Sequence, residues 1–399
     1  MAATTRTTLD SAIQELYIRR LLPIMQPLDF WGRFASKLKP EKGDGDTVVF
    51  NRVLRQPRVT SFNLLDSSTT GTARAFTSNK IVKALGVAGD AYQFERVADF
   101  TSIISNDVFM QEIGSQIIRS KNYLASEEYC THGLPHRVDN DATYEVNGTV
   151  DSGSTTTFVD DALTQNDDHW GTDSSNPGFV CFVNPEGPLY DVGVPVTGFT
   201  AATDTCTIET VQHTPTTSTK YHVVRGTALA ATDKLTVTAI TRVAAIHRKM
   251  RTELFQGGIL YGLIDSEQEH DLYGDSVLQT IIQYIEPKRL GNYKVLPLLD
   301  THLVVNDDAM YRMDVDGSAN ASGVVHATPI FGANAVNITG WDGGDDWGLV
   351  MTHINDADTG NWWNLIRMVN WHIKAGVVVL RGTSVCNLLT GATVLPVVF

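Results

Sequence analysis

The sequence predicts an α+β protein that carries a β-rich insertion, and three observations predict it. Apolar residues recur at helical spacing in some segments and as β-branched runs in others, with no regular βαβ alternation. One helical pattern, over residues 106–129, is far longer than any other. Between residues 139 and 220 the composition changes abruptly, to 13 Asp and Glu against the single base Lys220.

The chain opens on a short amphipathic pattern in which Leu9, Ile13, Leu16, Tyr17 and Leu21 recur at helical spacing and Asp10 and Ser11 offer N-cap chemistry. Pro23 and Pro27 interrupt it. The segment DFWGRF then brings Phe30, Trp31 and Phe34 together. Three aromatics on a terminal arm need burial, either in the chain's own core or against a neighbour. Residues 1–83 carry 13 Lys and Arg against 7 Asp and Glu, a balance of +6 in a chain of net charge −14. Such a stretch suits an arm lying on acidic surfaces of neighbouring copies, and equally a solvated basic face.

PEKGDGD at 40–46 reads as a turn and TVVFNRVLR at 47–55 as a strand. Periodicity then vanishes until residue 80, a long interval for a connection inside a compact domain. From Ile81, IVKALGVAGDAYQFERV has the β character to return as the second strand of a long hairpin. Arms of ~20 residues at about 3.3 Å each would reach up to about 65 Å. Next comes the long helix, with N-cap chemistry at Ser105, Asn106 and Asp107 and an apolar stripe at Met110, Ile113, Ile117 and Leu124. It would run about 36 Å before Gly133 and Pro135 end it.

The 139–220 block holds Thr at 17 of 82 positions, with strand candidates at 156–159, 178–183 and 205–211. Phe158, Trp170, Phe179 and Phe182 supply a small core for it. After it, Leu235, Val243, Ile246, Met250 and Leu254 mark the buried side of a helix whose basic face is Arg242, His247, Arg248, Lys249 and Arg251. A strand in GGILYGLID, a short helix in SEQEHDLYGD, and strands near 293–299, 303–306, 348–353, 365–369 and 375–380 complete the α+β alternation.

The net charge argues against holding nucleic acid by phosphate neutralisation, which needs clustered Lys and Arg. No run of residues is long and apolar enough to span a bilayer, and the N-terminus has no secretory-signal pattern, so the protein reads as cytosolic. Cys130, Cys181, Cys206 and Cys386 read as reduced thiols, with only Cys181 and Cys206 near enough in sequence context to pair. There is no nucleophile elbow, zinc-protease helix, Walker loop or complete dinucleotide fingerprint; GDGDT at 43–47 is too short and leads into a strand. Asp314, Asp316, Ser318 and Asn320, like Asp342, Asp345 and Asp346, lack EF-hand order and read as turns. Cys130, His132 and His136 look like a ligand group, but Gly133 and Pro135 break the helical presentation and no fourth ligand is evident. Asp265, Glu267, Glu269, His270 and Asp271 form a titratable patch that reads as a solvated helix face. Trp341, Trp347, Trp362, Trp363 and Trp371 suit core and interface burial better than a carbohydrate platform. The expectation is no catalytic residue, no cofactor and no metal.

The order of these segments resembles the major capsid proteins of tailed bacteriophages, with a long N-terminal arm before a GDT-x-x-F motif at residues 45–50. The matching passages are LLPIMQPLDFWGRFASKLKPEKGDGDTVVFNRV, GVAGDAYQFERVADFT, VTAITRVAAIHRKM, GLIDSEQEHDLYGDS, LGNYKVLPLLDTHLVV and ATPIFGANAV. The resemblance implies an arm at 1–46 and an extended-loop hairpin at 47–98. It implies a peripheral domain with a spine helix at 99–138 and 221–255, and an axial domain with the remaining peripheral strands at 256–399. The acidic 139–220 block is a departure, taken as an inserted domain facing outward. The implied partners are further copies of the chain, as pentamers and hexamers of an icosahedral shell in the virion, assembled in the bacterial cytoplasm. A portal is implied too, with a decoration protein as a further candidate. The start at the arm helix suggests a separate scaffolding protein. Double-stranded DNA would be enclosed without sequence-specific binding, and no membrane is involved. The inter-subunit contact candidates are Phe30, Trp31, Phe34, Arg52, Arg55, Arg58, Phe62 and Arg74. A non-viral nanocompartment shell of the same fold, a hydrolase using the Asp265 to Asp271 patch, and a tail or decoration protein remain as other readings.

Overall fold

A computed structural model describes residues 31–38, 47–53, 78–95, 106–166, 169–170, 177–183, 191–226, 229–230, 232–284, 295–298, 300–307, 312–314, 324–340, 350–354 and 366–392. The arm helix, the hairpin tip at 54–77 and both candidate Ca²⁺ loops other than Asp314 lie outside the described residues.

In chain order, a 3-10 turn at Trp31–Arg33 precedes β1 (Ser36–Leu38), β2 (Thr47–Val53), β3 (Ser78–Ala84), β4 (Gly86–Glu95) and helix α1 (Asn106–Thr131). Then come β5 (Leu134–Arg137), β6 (Glu145–Thr149), β7 (Ser152–Gly153), β8 (Thr157–Val159), β9 (Gly178–Phe182), β10 (Val192–Thr200), β11 (Thr205–Ile208) and β12 (Lys220–Arg225). Helix α2 (Val237–Met250), β13 (Leu260–Ile264), α3 (Ser266–Tyr273), α4 (Ser276–Tyr284), β14 (Val295–Leu298), β15 (Thr301–Val305) and β16 (Arg312–Asp314) follow. The chain ends through β17 (Val324–Phe331), β18 (Val336–Gly340), β19 (Val350–Ile354), β20 (Ile366–Val379) and β21 (Val385–Thr390).

The chain divides into two compact units, one of residues 1–48, 82–125 and 337–378, the other of residues 49–81, 126–336 and 379–399. In the first, a five-stranded sheet has the order β1-β18-β20-β19, with β4 also on β20. The two strands expected at 365–369 and 375–380 are one, because β4 pairs without a break from Ile366 to Ala375 and its ladder carries the backbone through. A Cβ on Gly89 would stand 2.3 Å from the Trp371 carbonyl oxygen, so the crossing needs glycine there. The expected return strand of the hairpin also differs. It breaks at Leu85, with residues 78–84 pairing β2 and residues 86–95 pairing β20.

Gln116, on α1, ties helix to sheet in this unit. Its amide donates to Asp90 Oδ2 at 2.8 Å, and its Oε1 accepts from Trp371 Nε1 at 3.2 Å and from the Tyr92 hydroxyl. The buried side of α1 follows four-residue steps through Ile113, Ile117, Lys121 and Ala125 to Tyr129. Leu124, expected in the stripe, falls off that line and is exposed.

The second unit holds two seven-stranded sheets. The central one has the order β14-β15-β13-β17-β21-β5, with β16 on β17, and is mixed: β13 runs parallel to β15 and β21 parallel to β5. Helix α2 lies against it through Val237, Ile240, Val243 and Ala244, which meet Leu260, Ile264, Leu303, Ile330 and Leu388. Thr236 caps α2 by accepting from the Ala239 amide at 3.2 Å. The inserted sheet, β6-β12-β9-β10-β11-β8-β7, is antiparallel throughout and closes around Phe158, Trp170, Phe182 and Tyr221, a core the aromatic content predicts.

Two expectations change here. The inserted sheet's last strand runs to Arg225, past residue 220. The insertion also shares a core with the central sheet, since Phe179 and Val224 from β9 and β12 pack with Val325, Ala327 and Leu389. Deleting residues 139–220 would strip that cover from apolar strands. We expect the deleted subunit to aggregate on expression, whereas a peripheral domain would leave it soluble and folded by circular dichroism.

His247 is the other correction. Expected on a basic face, it is fully buried, because residues 240, 243, 244 and 247 share one side of a 3.6-residue helix. Its Nε2 donates to the Ile330 carbonyl at 2.9 Å and its Nδ1 lies 3.0 Å from the Thr252 hydroxyl. Burial pushes its pKa down to about 4, with the Ile330 bond opposing. A histidine whose folded pKa lies below its unfolded value contributes stability above the unfolded pKa and loses it as pH falls toward the folded one. A shift of that size is worth up to about 3 kcal/mol. We therefore expect the stability gap between the wild type and His247→Asn, from urea unfolding, to be wide at pH 7 and to close between about pH 6.5 and 4.

Candidate functional site

Strands β2 and β3 form a two-stranded ribbon that pairs with no other described strand. In β2 the alternation of a strand puts Val48 and Phe50 inside and Val49 outside, 47% exposed. Val82 in β3 is 48% exposed. Among the described residues the two strands pair only with each other and carry exposed valines, features through which a sheet recruits another chain.

The sequence-derived contact candidates fare unequally. Trp31 is fully buried within this chain, so it has no surface left for a neighbour. Phe34 is half-buried, and its amide joins the 3-10 turn by donating to the Trp31 carbonyl at 3.1 Å. Arg52 lies in β2. Phe30, Arg55, Arg58, Phe62 and Arg74 lie outside the described residues. Of the tryptophan run only Trp371 is described, and it is buried.

The Asp265 to Asp271 patch is not a solvated face throughout. Asp265 is fully buried as the N-cap of α3, where its Oδ1 accepts from the Gln268 amide at 2.7 Å and the Gln268 side chain answers the Asp265 amide at 3.3 Å. Its Oδ2 pairs with His326 Nδ1, and His326 Nε2 lies 3.4 Å from Glu267. Gln268 Nε2 donates to Thr328 at 2.8 Å and to Thr390 at 2.7 Å, tying the cap to β17 and β21. Asp271 is buried and pairs with Lys234 at 3.0 Å, while His270 is exposed. Both oxygens of Asp265 hold structure together, which is the work of a helix anchor.

The Cys130, His132 and His136 group does not converge. The Cys130 thiol faces the Ala327 carbonyl, burial raising its pKa, and His132 lies within 3.5 Å of Glu128 and Glu209. His136, on β5, instead meets Glu145 and His222 from β6 and β12. Glu145 lies nine residues on, across the β5–β6 connection, whereas His222 comes from the far end of the inserted sheet's sequence, which no local spacing reveals. Beside them, the fully buried Arg137 grips Asp139 in a bidentate pair at 2.7 and 2.9 Å and donates to the Arg225 carbonyl at 2.8 Å. Its guanidinium also sits 4.8 Å over the Tyr144 ring. All four cysteines are buried thiols, and no disulfide joins Cys181 to Cys206.

No protein-family model matches the sequence, and no curated protein matches it. In structure the chain is similar to the capsid of Ralstonia phage GP4, at 13% identity and a TM-score of 0.52, over 93% of this chain and 92% of that one. It is also similar to the cyanophage Pam1 capsid, at 11% identity and a TM-score of 0.47 over 88% and 86% of the two chains. For the mature capsid of bacteriophage PhiM1 the values are 9%, 0.47, 90% and 86%. The fold, read from the first of these, is that of a phage major capsid protein. No described helix is long and apolar enough to cross a membrane.

The two readings of the acidic patch separate by stability. Asp265→Ala removes a cap worth about 1 kcal/mol and strands a buried His326, for a total loss of about 3 kcal/mol or more in urea unfolding. His270→Ala, at an exposed position, should change stability by less than about 0.5 kcal/mol.

Proposed function

We propose that this chain is the major capsid protein of a tailed bacteriophage, assembling into the icosahedral head shell that encloses double-stranded DNA. The observation that carries the reading is the likeness, across more than nine-tenths of both chains, to the Ralstonia phage GP4 capsid. The chain's own features support it. A shell filled by a motor must not bind its DNA tightly, and a net charge of −14 suits a wall that releases it. The β2–β3 ribbon offers backbone edges and exposed valines for an adjacent subunit, and the basic 1–83 stretch complements the acidic remainder of a neighbouring copy.

Pentamers and hexamers of one chain meet at slightly different angles, which favours many modest contacts over one rigid interface. The further partners of this reading are a separate scaffolding protein and a portal, with a decoration protein as another candidate. The role is structural, inside the virion, with assembly in the bacterial cytoplasm.

Expression with and without the scaffolding gene of the same genome, followed by electron microscopy, tests it. Closed shells support the reading, and nuclease-protected DNA within virions separates a viral head from an empty compartment. Tubes or isolated trimers would point to a tail or decoration protein. Covering the exposed half of each ribbon valine is worth about 1 kcal/mol per subunit. Val49→Asp with Val82→Asp should therefore leave a folded subunit whose shell yield in sedimentation drops at least about tenfold. Removing residues 1–29, which spares the buried Trp31, should likewise give folded subunits that fail to close shells; normal particles would exclude the arm as an assembly element.

A further inference from the structure

His136, Glu145 and His222 meet where β5 of the central sheet faces β6 and β12 of the inserted one. Register explains part of the meeting. His222 stands opposite Asn147 and Val224 opposite Glu145, so Glu145, Asn147 and His222 share one face of the β6–β12 pair. Three atoms, one from each of His136, Glu145 and His222, lie within 4.8 Å of one another.

Neighbouring groups orient them. His222 Nδ1 is 2.7 Å from Asn147 Oδ1, and an amide oxygen only accepts, so Nδ1 carries the proton. The other ring nitrogen, Nε2, is then directed at Glu145 Oε1, 3.4 Å away, and makes no hydrogen bond although His222 is only 3% exposed. Glu145 Oε2 is taken by the Arg137 amide at 2.9 Å, leaving Oε1 for His136 Nδ1 at 2.7 Å and for whatever joins it to His222. A buried ring nitrogen facing a carboxylate oxygen needs a proton or a metal cation between them. Tetrahedral nitrogen and oxygen ligands with bonds of ~2.0–2.1 Å stand about 3.3 Å apart, close to the His222–Glu145 spacing, while the shorter His136–Glu145 hydrogen bond would have to open for both groups to ligate one ion.

We propose that His136, Glu145 and His222 bind one divalent transition-metal ion of the Zn²⁺ class, which ties the inserted sheet to the central sheet. Two imidazoles and one carboxylate suit that class over Ca²⁺ or Mg²⁺, which favour all-oxygen shells. Asn147 orients His222 from behind, its amide oxygen accepting from the ring nitrogen that faces away from the site, as acceptors behind metal-bound histidines do.

The test is Co²⁺ titration of the chelator-stripped, full-length subunit, read by visible absorption, with thermal melts in parallel. The expected result is one Co²⁺ per subunit with ligand-field bands that Zn²⁺ displaces, and a melting temperature raised by Zn²⁺. His222→Gln and Glu145→Gln should abolish the bands, while His270→Ala, an exposed histidine, should keep them. Should the first two variants fail to fold, Asn147→Ala keeps all three ligands yet frees the ring, and should weaken Co²⁺ binding about 10- to 100-fold. No bands and no Zn²⁺ shift in the wild type would mean that a proton alone joins the pair and would overturn the proposal. Binding unchanged in His222→Gln, or in Asn147→Ala where that variant has to stand in, would overturn it equally.

Discussion

A helix that ends inside a protein must have its last carbonyls answered, and here one asparagine answers two of them. Asn387 on β21 donates its amide to the Tyr129 carbonyl at 2.8 Å and the Cys130 carbonyl at 2.7 Å. The chain then turns through Gly133, where a Cβ would lie 2.6 Å from that same amide nitrogen, and enters β5 alongside β21 in parallel. With β5 so placed, His136 and Arg137 are delivered to the boundary with the inserted sheet. A buried guanidinium is tolerable only when its donors are spent, and Arg137 spends them on Asp139 and the Arg225 carbonyl. The position of the whole insertion thus follows from how one helix terminates.

Much of the fold was legible because it is local. The 106–129 periodicity matches α1, Asn106–Thr131, and the strand candidates at 156–159, 178–183 and 205–211 match β8, β9 and β11. Each depends on neighbours a few residues away, which a sequence displays directly. Partners far along the chain are a different matter. Nothing near residues 365–380 signals that β4 will bridge two apolar runs into one strand. Nothing near Asp265 announces His326, 61 residues on. A charged residue looks solvated until the element that covers it is known, and for His247 that element is β17, through the Ile330 carbonyl. Contact residues were least legible. An aromatic such as Trp31 reads identically whether its cavity is its own or a neighbour's.

The acidic insertion departs from the resemblance that otherwise orders the chain, yet it is not a loose appendage. Phe179 and Val224 share a core with the central sheet, and polar ties lie beside them: Arg137 with Arg225, His136 with Glu145, and the Thr383 hydroxyl donating to Asp191. Apolar contact alone resists separation but allows sliding. Directional bonds from several strands also fix register. The Gly193 site shows the same tightness, since a Cβ there would stand 2.3 Å from the His132 carbonyl oxygen at the end of α1.

A shell subunit faces two opposed demands. Its edges must bend to suit different neighbours, and its body must not, because strain spread through the body would blur every contact angle at once. The described residues divide along that line. The β2–β3 ribbon is a sheet of two strands, too small to be rigid by itself and dressed with exposed valines. The central and inserted sheets have seven strands each, share a core and are crossed by buried polar ties. On the proposed reading, compliance would sit where copies meet, and stiffness where the chain meets itself. A metal ion between β5, β6 and β12 would fall on the stiff side of that division, adding directional bonds at the place where sliding of one sheet over the other would otherwise begin.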